Sequence, residues 1–267
     1  MVKVGLIGFG AIGKDVAAYI NEKKAGEATL AAILVRNKQK YADLDQTPLF
    51  FDKEEEFFNK DLDIIIENAG HQAVYQYAEK SLSSGSDFLV VSIGAFSNQE
   101  FFQRVKEAAK QNKQKLIIPS AAIGGLDRLS AAAVNGLEKV TLLTKKPPKA
   151  WKGTPSEQMV DLDSLIEPFL LFEGNAKESA QLFPESTNVS AAVGIAGLGL
   201  EQTKVQVYVD PFIQNNTHQI IAEGYFGKME INIQNRPSED NPKTGYIVAM
   251  SICKVLKNLT SPLIIGI

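Results

Sequence analysis

The stretch that decides the fold is Val-Lys-Val-Gly-Leu-Ile-Gly-Phe-Gly-Ala-Ile-Gly, at residues 2–13. An apolar strand runs directly into the spacing Gly8-x-Gly10-x-x-Gly13, after which a helical pattern begins. Gly8 permits a tight turn, Gly10 lets the backbone approach a pyrophosphate, and Gly13 lets helix and strand pack closely. The free N–H groups at the start of the helix suit an anion. This context favours a dinucleotide-binding turn over a merely structural strand–turn–helix. The predicted cofactor-binding residues of this glycine turn (residues 8–13) are Gly8, Gly10, Ala11, Ile12 and Gly13.

Strands and helices alternate from residue 2 as far as Pro119. Alternation of this kind predicts an α/β fold with a Rossmann-type, doubly wound parallel sheet, here a dinucleotide-binding domain over residues 1–119. Further apolar strands are predicted at residues 29–35, 48–51, 62–67, 88–92 and 115–119, and further helices at 53–59, 72–84 and 98–112.

The pattern changes after Pro119. Apolar and polar residues alternate with period two around Val207 and Ile231, which is typical of half-buried strands. Residues 120–243 are therefore predicted to form a second α+β domain, built on a mostly antiparallel sheet, that binds the substrate. The last segment, residues 244–259, is apolar nearly all round. We expect this helix to be buried on several sides and to pack back onto the first domain.

Composition narrows the function classes. The 267 residues carry a net charge of −3 without a basic stripe, which argues against a nucleic-acid partner. Cys253 is the single cysteine, so the sequence predicts neither disulfides nor a thiolate metal cluster. No histidine or acidic cluster has metal-ligand spacing. No apolar run is long enough to span a bilayer, and the chain opens on a strand instead of a signal peptide. These features predict a cytoplasmic protein without a membrane partner.

The end of the second strand bears on the cofactor. In dinucleotide folds an acidic residue there binds the 2′-OH of NAD, whereas a basic residue accommodates the 2′-phosphate of NADP. This chain has Arg36-Asn37 and no acid. Either NADP is accepted through Arg36, or NAD is held without the usual carboxylate and Arg36 is a solvated surface residue. The sequence predicts NAD or NADP without choosing between them.

The chain has two histidines, and histidine suits proton transfer near neutral pH. His218 falls near the start of a strand in the second domain. It is either a catalytic residue or an ordinary surface or hydrogen-bonded histidine. His71 follows a strand end, as a cofactor contact or the first residue of a helix. Glu67 could orient a ribose or an amine, or cap the next helix.

Three basic residues are candidates for binding substrate carboxylates. Lys145 and Lys146 end a predicted strand, and a solvated strand end is the favoured interpretation of the pair. Arg236 has the planar fork that suits a carboxylate.

Several further stretches occur in order along nearly the whole chain. They are the glycine turn, Pro119-Ser120-Ala121-Ala122-Ile123-Gly124-Gly125-Leu126-Asp127, Lys146-Pro147-Pro148, Phe172-Glu173-Gly174-Asn175-Ala176, Phe183-Pro184, Asn188-Val189, Asp210-Pro211, His218, Phe226-Gly227, Asn235-Arg236-Pro237 and Asn241-Pro242-Lys243-Thr244. Together they resemble the L-aspartate dehydrogenase family. The loop at 119–127 and the run from 210 to 244 are the most specific parts of the resemblance.

The resemblance implies a reaction and roles for residues. Members of the family oxidise L-aspartate with NAD or NADP to iminoaspartate, which feeds NAD biosynthesis or hydrolyses to oxaloacetate; the reverse reaction aminates oxaloacetate with ammonia. The active-site histidine of the family falls on His218, and its cofactor-contacting alanine and asparagine fall on Ala122 and Asn188. The exposed face of the antiparallel sheet further suggests a homodimer.

The chain departs from the family pattern at three positions. It has Ala121, Asn68 and Gly245 where members commonly have glycine, cysteine and serine. Two other kinds of enzyme share the two-domain plan, the dihydrodipicolinate-reductase-like and homoserine-dehydrogenase-like proteins. A non-catalytic sensor of nicotinamide nucleotides is the alternative outside enzymes.

Overall fold

A computed structural model describes residues 1–44, 49–183, 187–239 and 244–266. The strands are β1 (Val2–Ile7), β2 (Ala28–Leu34), β3 (Phe50–Phe51), β4 (Ile64–Glu67), β5 (Asp87–Val90), β6 (Leu116–Ile117), β7 (Leu137–Lys146), β8 (Phe169–Asn175), β9 (Lys204–Val209), β10 (Asn216–Gly224) and β11 (Gly227–Asn235). The helices are α1 (Ala11–Asn21), α2 (Glu54–Phe58), α3 (His71–Ser83), α4 (Gln99–Gln111), α5 (Leu126–Ala133), α6 (Ala176–Leu182), α7 (Thr187–Ala196) and α8 (Ile247–Thr260).

The chain divides into two compact units, residues 1–121 with 248–267, and residues 122–247. The first unit contains a six-stranded sheet in the order β3-β2-β1-β4-β5-β6, and all of its pairings are parallel. This is the strand order of a dinucleotide-binding sheet, so the predicted Rossmann-type α/β fold is confirmed. Ile64, Ile65 and Ile66 of β4 are fully buried, as expected of a central strand that is covered on both faces.

The second unit is built on a five-stranded sheet in the order β11-β10-β7-β9-β8. The β7–β9 pair is parallel and the other three pairs are antiparallel, which confirms the predicted mostly antiparallel sheet. Of the apolar residues in the period-two pattern, Val205, Val207, Val209 and Met229 are buried, whereas Ile231 and Ile233 are partly exposed. Strands β10 and β11 form a hairpin that places Ile220 opposite Ile231 and His218 opposite Ile233.

Element boundaries shift slightly from the sequence-based expectations. The strand predicted at 48–51 is Phe50–Phe51 in the structure, and Pro48 lies outside the described residues. The strand predicted at 115–119 is reduced to Leu116–Ile117. Both lie at the edges of the parallel sheet, where a strand has only one neighbour to pair with.

The C-terminal helix begins later than predicted. Helix α8 begins at Ile247 and buries Val248, Ile252 and Leu256, which recur at helical spacing. Ala249, Ser251 and Cys253 beside these residues are buried as well, whereas Met250 is 45% exposed, so the helix is buried on several sides but not all round. The end of α8 is anchored in the first unit, because the Glu27 N–H donates to Thr260 Oγ1 at 3.1 Å. No helix in the described residues is both long and apolar enough to cross a membrane.

Candidate active site

The glycine turn has the geometry that a dinucleotide requires. Gly8 has φ +96°, and a Cβ there would lie 2.8 Å from Ala69 Cβ. A Cβ on Gly13 would lie 2.8 Å from the Gly8 carbonyl oxygen, so both positions demand glycine for the fold itself. A Cβ on Gly10 would meet nothing within 4 Å, which leaves space above the turn.

The start of α1 is free to receive an anion. Its N-cap, Gly10, has no side-chain hydrogen bond to the helix, and the first turn contains no acidic residue. Neither the N-cap side chain nor an acidic residue of the first turn therefore competes with an anion for the first N–H groups of the helix. The residues of the turn fit a pyrophosphate, because the space beside Gly10 is open.

Glu67 supports the turn instead of pointing a free carboxylate at a ligand. It is fully buried at the end of β4, and Oε1 accepts the N–H groups of Ala69 and Gly70 at 2.7 and 2.8 Å. Ser92 donates its hydroxyl to Oε1 at 2.9 Å and its N–H to Oε2 at 3.0 Å. Burial raises the pKa of Glu67 despite these hydrogen bonds. The carboxylate thus fixes the Ala69–Gly70 segment against which Gly8 packs.

Arg36, His71 and Asn68 lie in three different environments. Arg36 is exposed just after β2, so the structure leaves it accessible to a ligand. His71 is the first residue of α3, the helical alternative considered for it. The amide atoms of Asn68 are buried with no hydrogen-bond partner among the described residues, and Oδ1 lies 2.8 Å from where a Gly13 Cβ would be.

Two consecutive residues of the loop after β6 are held by hydrogen bonds. Ala121 has φ +48°, and its N–H donates to Ser251 Oγ of α8 at 2.9 Å within the first unit. The carbonyl oxygen of Ala122 accepts a hydrogen bond from Asn235 Nδ2 at 2.8 Å within the second unit. Glycine is the residue that tolerates a positive φ, which gives a physical reason for the family's glycine at the position of Ala121.

His218 lies inside the second unit, 4% exposed, in the third position of β10. Its Nδ1 is 3.1 Å from Oγ1 of Thr144, the residue opposite it on β7. Burial lowers the pKa of His218 to about 3, and the positive charge of Lys146 contributes to the shift. His218 is therefore a neutral imidazole, fixed at Nδ1, in a dry environment.

Lys146 contradicts the favoured interpretation of a solvated strand end. It is 5% exposed, and its Nζ lies 4.9 Å from the centroid of the fully buried Trp151 ring. The alternation of side chains along β7 explains the difference, because Lys146 shares a face with the buried Leu142 and Thr144. Lys145 points to the opposite face, half-exposed, with Nζ 3.9 Å from the carboxylate of Asp210.

Arg236 and Asn188 are the remaining residues that the sequence offers as ligand contacts. Arg236 is exposed and pairs with Glu239 at 3.3 Å. Asn188 is the second residue of α7, and its contact with a cofactor stays a prediction. Parts of the family stretches, Pro184 and Asn241-Pro242-Lys243, lie outside the described residues. Within the described ranges, no group of three His, Cys, Asp or Glu side chains is placed to hold a metal ion.

Two family models match this chain, one in each half of the sequence. Residues 127–259 match the family model "Aspartate dehydrogenase, C-terminal", and residues 8–119 match "Homoserine dehydrogenase, NAD binding domain". The L-aspartate dehydrogenase of Brucella anthropi is 38% identical over 263 residues, which cover 97% of each chain. This chain belongs to the aspartate dehydrogenase family. The L-aspartate dehydrogenase of Methanosarcina barkeri is 37% identical over the full length of both proteins.

The fold agrees with that of a solved member of the family. The crystal structure of aspartate dehydrogenase from Thermotoga maritima superimposes with a TM-score of 0.79 at 27% identity, covering both chains completely. Membership confirms the predicted oxidoreductase class and the nicotinamide dinucleotide cofactor. Of the alternatives, neither related reductases nor a non-catalytic sensor gains better support.

Two buried residues of this aspartate dehydrogenase family member, Thr144 and Lys146, are not predicted by the sequence to lie beside His218. The signal was present in β7, where alternation puts Val140, Leu142, Thr144 and Lys146 on one face. What the sequence lacked was the register that sets Thr144 opposite His218.

Proposed function

We propose that this protein is an L-aspartate dehydrogenase, which oxidises L-aspartate to iminoaspartate with NAD or NADP. Its near-full-length similarity to L-aspartate dehydrogenases of Brucella and Methanosarcina carries the proposal. The structure supports it with a glycine turn fitted to a pyrophosphate and a buried neutral histidine in the second unit. In reverse, the enzyme aminates oxaloacetate with ammonia.

In the proposed reaction the cofactor site at the glycine turn and His218 have different roles. A nicotinamide cofactor would supply the acceptor for the hydride that leaves the substrate α-carbon. His218 takes a proton from the substrate ammonium, leaving the amine lone pair to form the C=N bond as the Cα–H electron pair departs. The protonated imine then loses one of its two N–H protons to water. The glycine turn and the start of α1 hold the pyrophosphate through backbone N–H groups.

A panel of initial rates tests the proposed reaction. L-Aspartate, L-glutamate, L-homoserine and L-alanine are each supplied with NAD and with NADP, and reduced cofactor is followed by absorbance. We expect turnover with L-aspartate above the other three. Activity confined to homoserine or to a cyclic imine would assign the protein to a related reductase. Cofactor binding without turnover on any substrate would favour the sensor.

Arg36 is proposed to let the enzyme accept NADP. Its guanidinium is exposed at the end of β2, where the adenosine ribose lies in dinucleotide folds. Replacing Arg36 with Ala should raise the KM for NADP about 10-fold, through loss of a charge-assisted hydrogen bond, and leave the KM for NAD unchanged. Equal effects on the two cofactors would show that Arg36 does not recognise the 2′-phosphate.

Three predictions about cellular context accompany this function. The resemblance places the product in NAD biosynthesis, composition predicts a cytoplasmic enzyme, and a homodimer is proposed through the second unit. Phe169 and Leu170 of β8 are large apolar residues that remain exposed in this chain, which supports an association surface there. Light scattering on the purified protein tests the homodimer, with a monomer as the contrary outcome.

A further inference from the structure

A buried lysine sits beside the neutral histidine of the second unit. Lysine is among the residues that are least often buried, because removing an ammonium from water costs free energy. Lys146 is nonetheless almost fully buried at the end of β7, on the same face as Thr144, the residue that pairs with His218. Charged groups kept in such places are frequently functional.

The arrangement around His218 defines which nitrogen can react. Thr144 Oγ1 occupies Nδ1 at 3.1 Å, so Nε2 is the nitrogen left to exchange a proton with a substrate. Thr144 is itself fully buried and held by pairing on both sides, to His218 on β10 and to Val207 on β9. The hydroxyl is therefore a rigid support for the imidazole.

The electrostatics of the free protein work against the proposed reaction. A base with a pKa of about 3 does not readily take a proton from an ammonium. Burial is the larger cause of this low pKa and the positive charge of Lys146 adds to it, while β11 places the apolar Ile233 opposite His218. A carboxylate beside Lys146 would supply a negative charge where the interior amplifies it.

We propose that Lys146 binds a carboxylate of the substrate, that this carboxylate offsets the lysine charge and so lets His218 accept the ammonium proton, and that Thr144 positions the imidazole for the transfer. The inference rests on the proposed function and extends it to substrate recognition. It makes the second carboxylate of an amino dicarboxylate a requirement for activating the base as well as for binding. We refer to Thr144, Lys146 and His218 as the histidine cluster.

The primary test replaces Lys146 with Met, which keeps the length of the side chain and removes the charge. We expect the Ki of succinate, a dicarboxylate without an amine, to rise about 10- to 100-fold, the usual effect of losing a hydrogen bond to a charged group. The KM for L-aspartate should rise in parallel, so kcat/KM should fall. Lys146→Arg should restore succinate binding, and NADH affinity should be unchanged in both variants.

A matched control comes from the other end of the same strand. Lys139 of β7 is exposed, so Lys139→Met removes one positive charge without touching the histidine cluster. Its succinate Ki and kcat/KM should equal those of the wild type. Thermal unfolding checks that each variant is folded, and Lys146→Gln serves as the second neutral variant if the methionine protein is insoluble.

The pH profile separates a chemical role from a structural one. The acid limb of kcat/KM reports on free-enzyme groups, and removing the Lys146 charge should move the His218 limb to higher pH. Thr144→Val should lower kcat without changing the succinate Ki, and Thr144→Ser should recover kcat because it retains the hydroxyl. An unchanged succinate Ki and pH profile in Lys146→Met would overturn the inference.

The wild-type enzyme distinguishes the two possible failures. If the wild type does not oxidise L-aspartate with either cofactor, the proposed function is wrong and this inference goes with it. If the wild type is active and the neutral Lys146 variants match it in succinate Ki and pH profile, only the inference is wrong.

Discussion

The glycine turn of the first unit and the histidine cluster of the second differ in the groups that they present to a ligand. The turn offers a ligand its backbone, and its key residues are defined by the side chains they lack. The cluster offers side chains, and its residues are buried polar groups in an apolar sheet. The turn is six contiguous residues, whereas Thr144 and His218 are 74 positions apart. A site made of backbone groups can be encoded by one short contiguous sequence. A site made of side chains from different strands depends on the register in which those strands pair.

Removing His218 should have the largest effect on catalysis. We expect His218→Ala to lower kcat by ~10²–10⁴, the range for loss of a general acid–base residue. The Kd for NADH, measured by fluorescence titration, should stay the same because the glycine turn belongs to the other unit.

Gln219→Ala is the matched control for that experiment. Gln219 is the next residue on β10 and points to the opposite face, so its loss should leave kcat intact. A His218→Ala enzyme with wild-type turnover would remove His218 from the mechanism. Loss of NADH binding in the same variant would break the division between the two regions.

Gly10 offers the corresponding test of the backbone site. A Cβ there meets nothing in the protein, so Gly10→Ala should unfold at the wild-type temperature. The methyl group would instead occupy space that the pyrophosphate needs, and we expect the Kd for NADH to rise about 10-fold or more through lost N–H contacts.

Gly13→Ala makes the comparison within the turn. Its Cβ would lie 2.8 Å from the Gly8 carbonyl oxygen, so this variant should lose thermal stability as well as NADH affinity. Calorimetry and fluorescence titration of the two proteins give the result. Unaltered NADH binding in Gly10→Ala would mean that no ligand approaches the turn.

The same contrast explains what the sequence could predict. The doubly wound parallel sheet of the first unit was predictable from alternating elements and one glycine spacing, because each of these signals is local, whereas the order of its strands was not predicted. Lys146 was misplaced because the chain after it, with two prolines, is typical of a solvated end. Its burial depends on Trp151, which packs below its ammonium and has no periodic signal of its own.

The sequence singles out Glu67 at the end of a strand, but it does not predict that its carboxylate supports the glycine turn. Its position at a strand end suggested a ligand contact equally well. Only the fold brings Ser92 to its carboxylate, because β4 and β5 are parallel neighbours whose ends meet. Side-chain roles that depend on non-local pairing were thus beyond the sequence, and backbone roles were not.

Acid unfolding should report the two buried titratable groups with opposite signs. Burial lowers the pKa of His218 to about 3, so the unfolded chain takes a proton first as pH falls below the ordinary histidine value. This favours unfolding by up to about 1.4 kcal/mol per pH unit between about pH 6.5 and pH 3. Burial raises the pKa of Glu67, so the folded protein takes that proton first and gains stability as pH falls.

Two variants read these contributions separately. Urea unfolding between pH 7 and pH 4 should show a flatter loss of stability in His218→Gln than in the wild type, and a steeper loss in Glu67→Gln. Identical slopes in all three proteins would mean that neither group titrates differently in the folded state.

Ala121 gives the smallest predicted effect, at the point where the chain passes from one unit to the other. Its φ of +48° costs an L-residue roughly 1 kcal/mol, and glycine would relieve this at the expense of a more flexible unfolded chain. We expect Ala121→Gly to raise the free energy of unfolding by about 0.5 kcal/mol, with the Ser251 hydrogen bond and kcat unchanged. Lys113→Gly, at φ +58° in a turn after α4, should gain as much and serves as the control. A gain at Lys113 with a loss at Ala121 would mean that the Ala121 methyl stabilises this junction by more than its backbone strain costs.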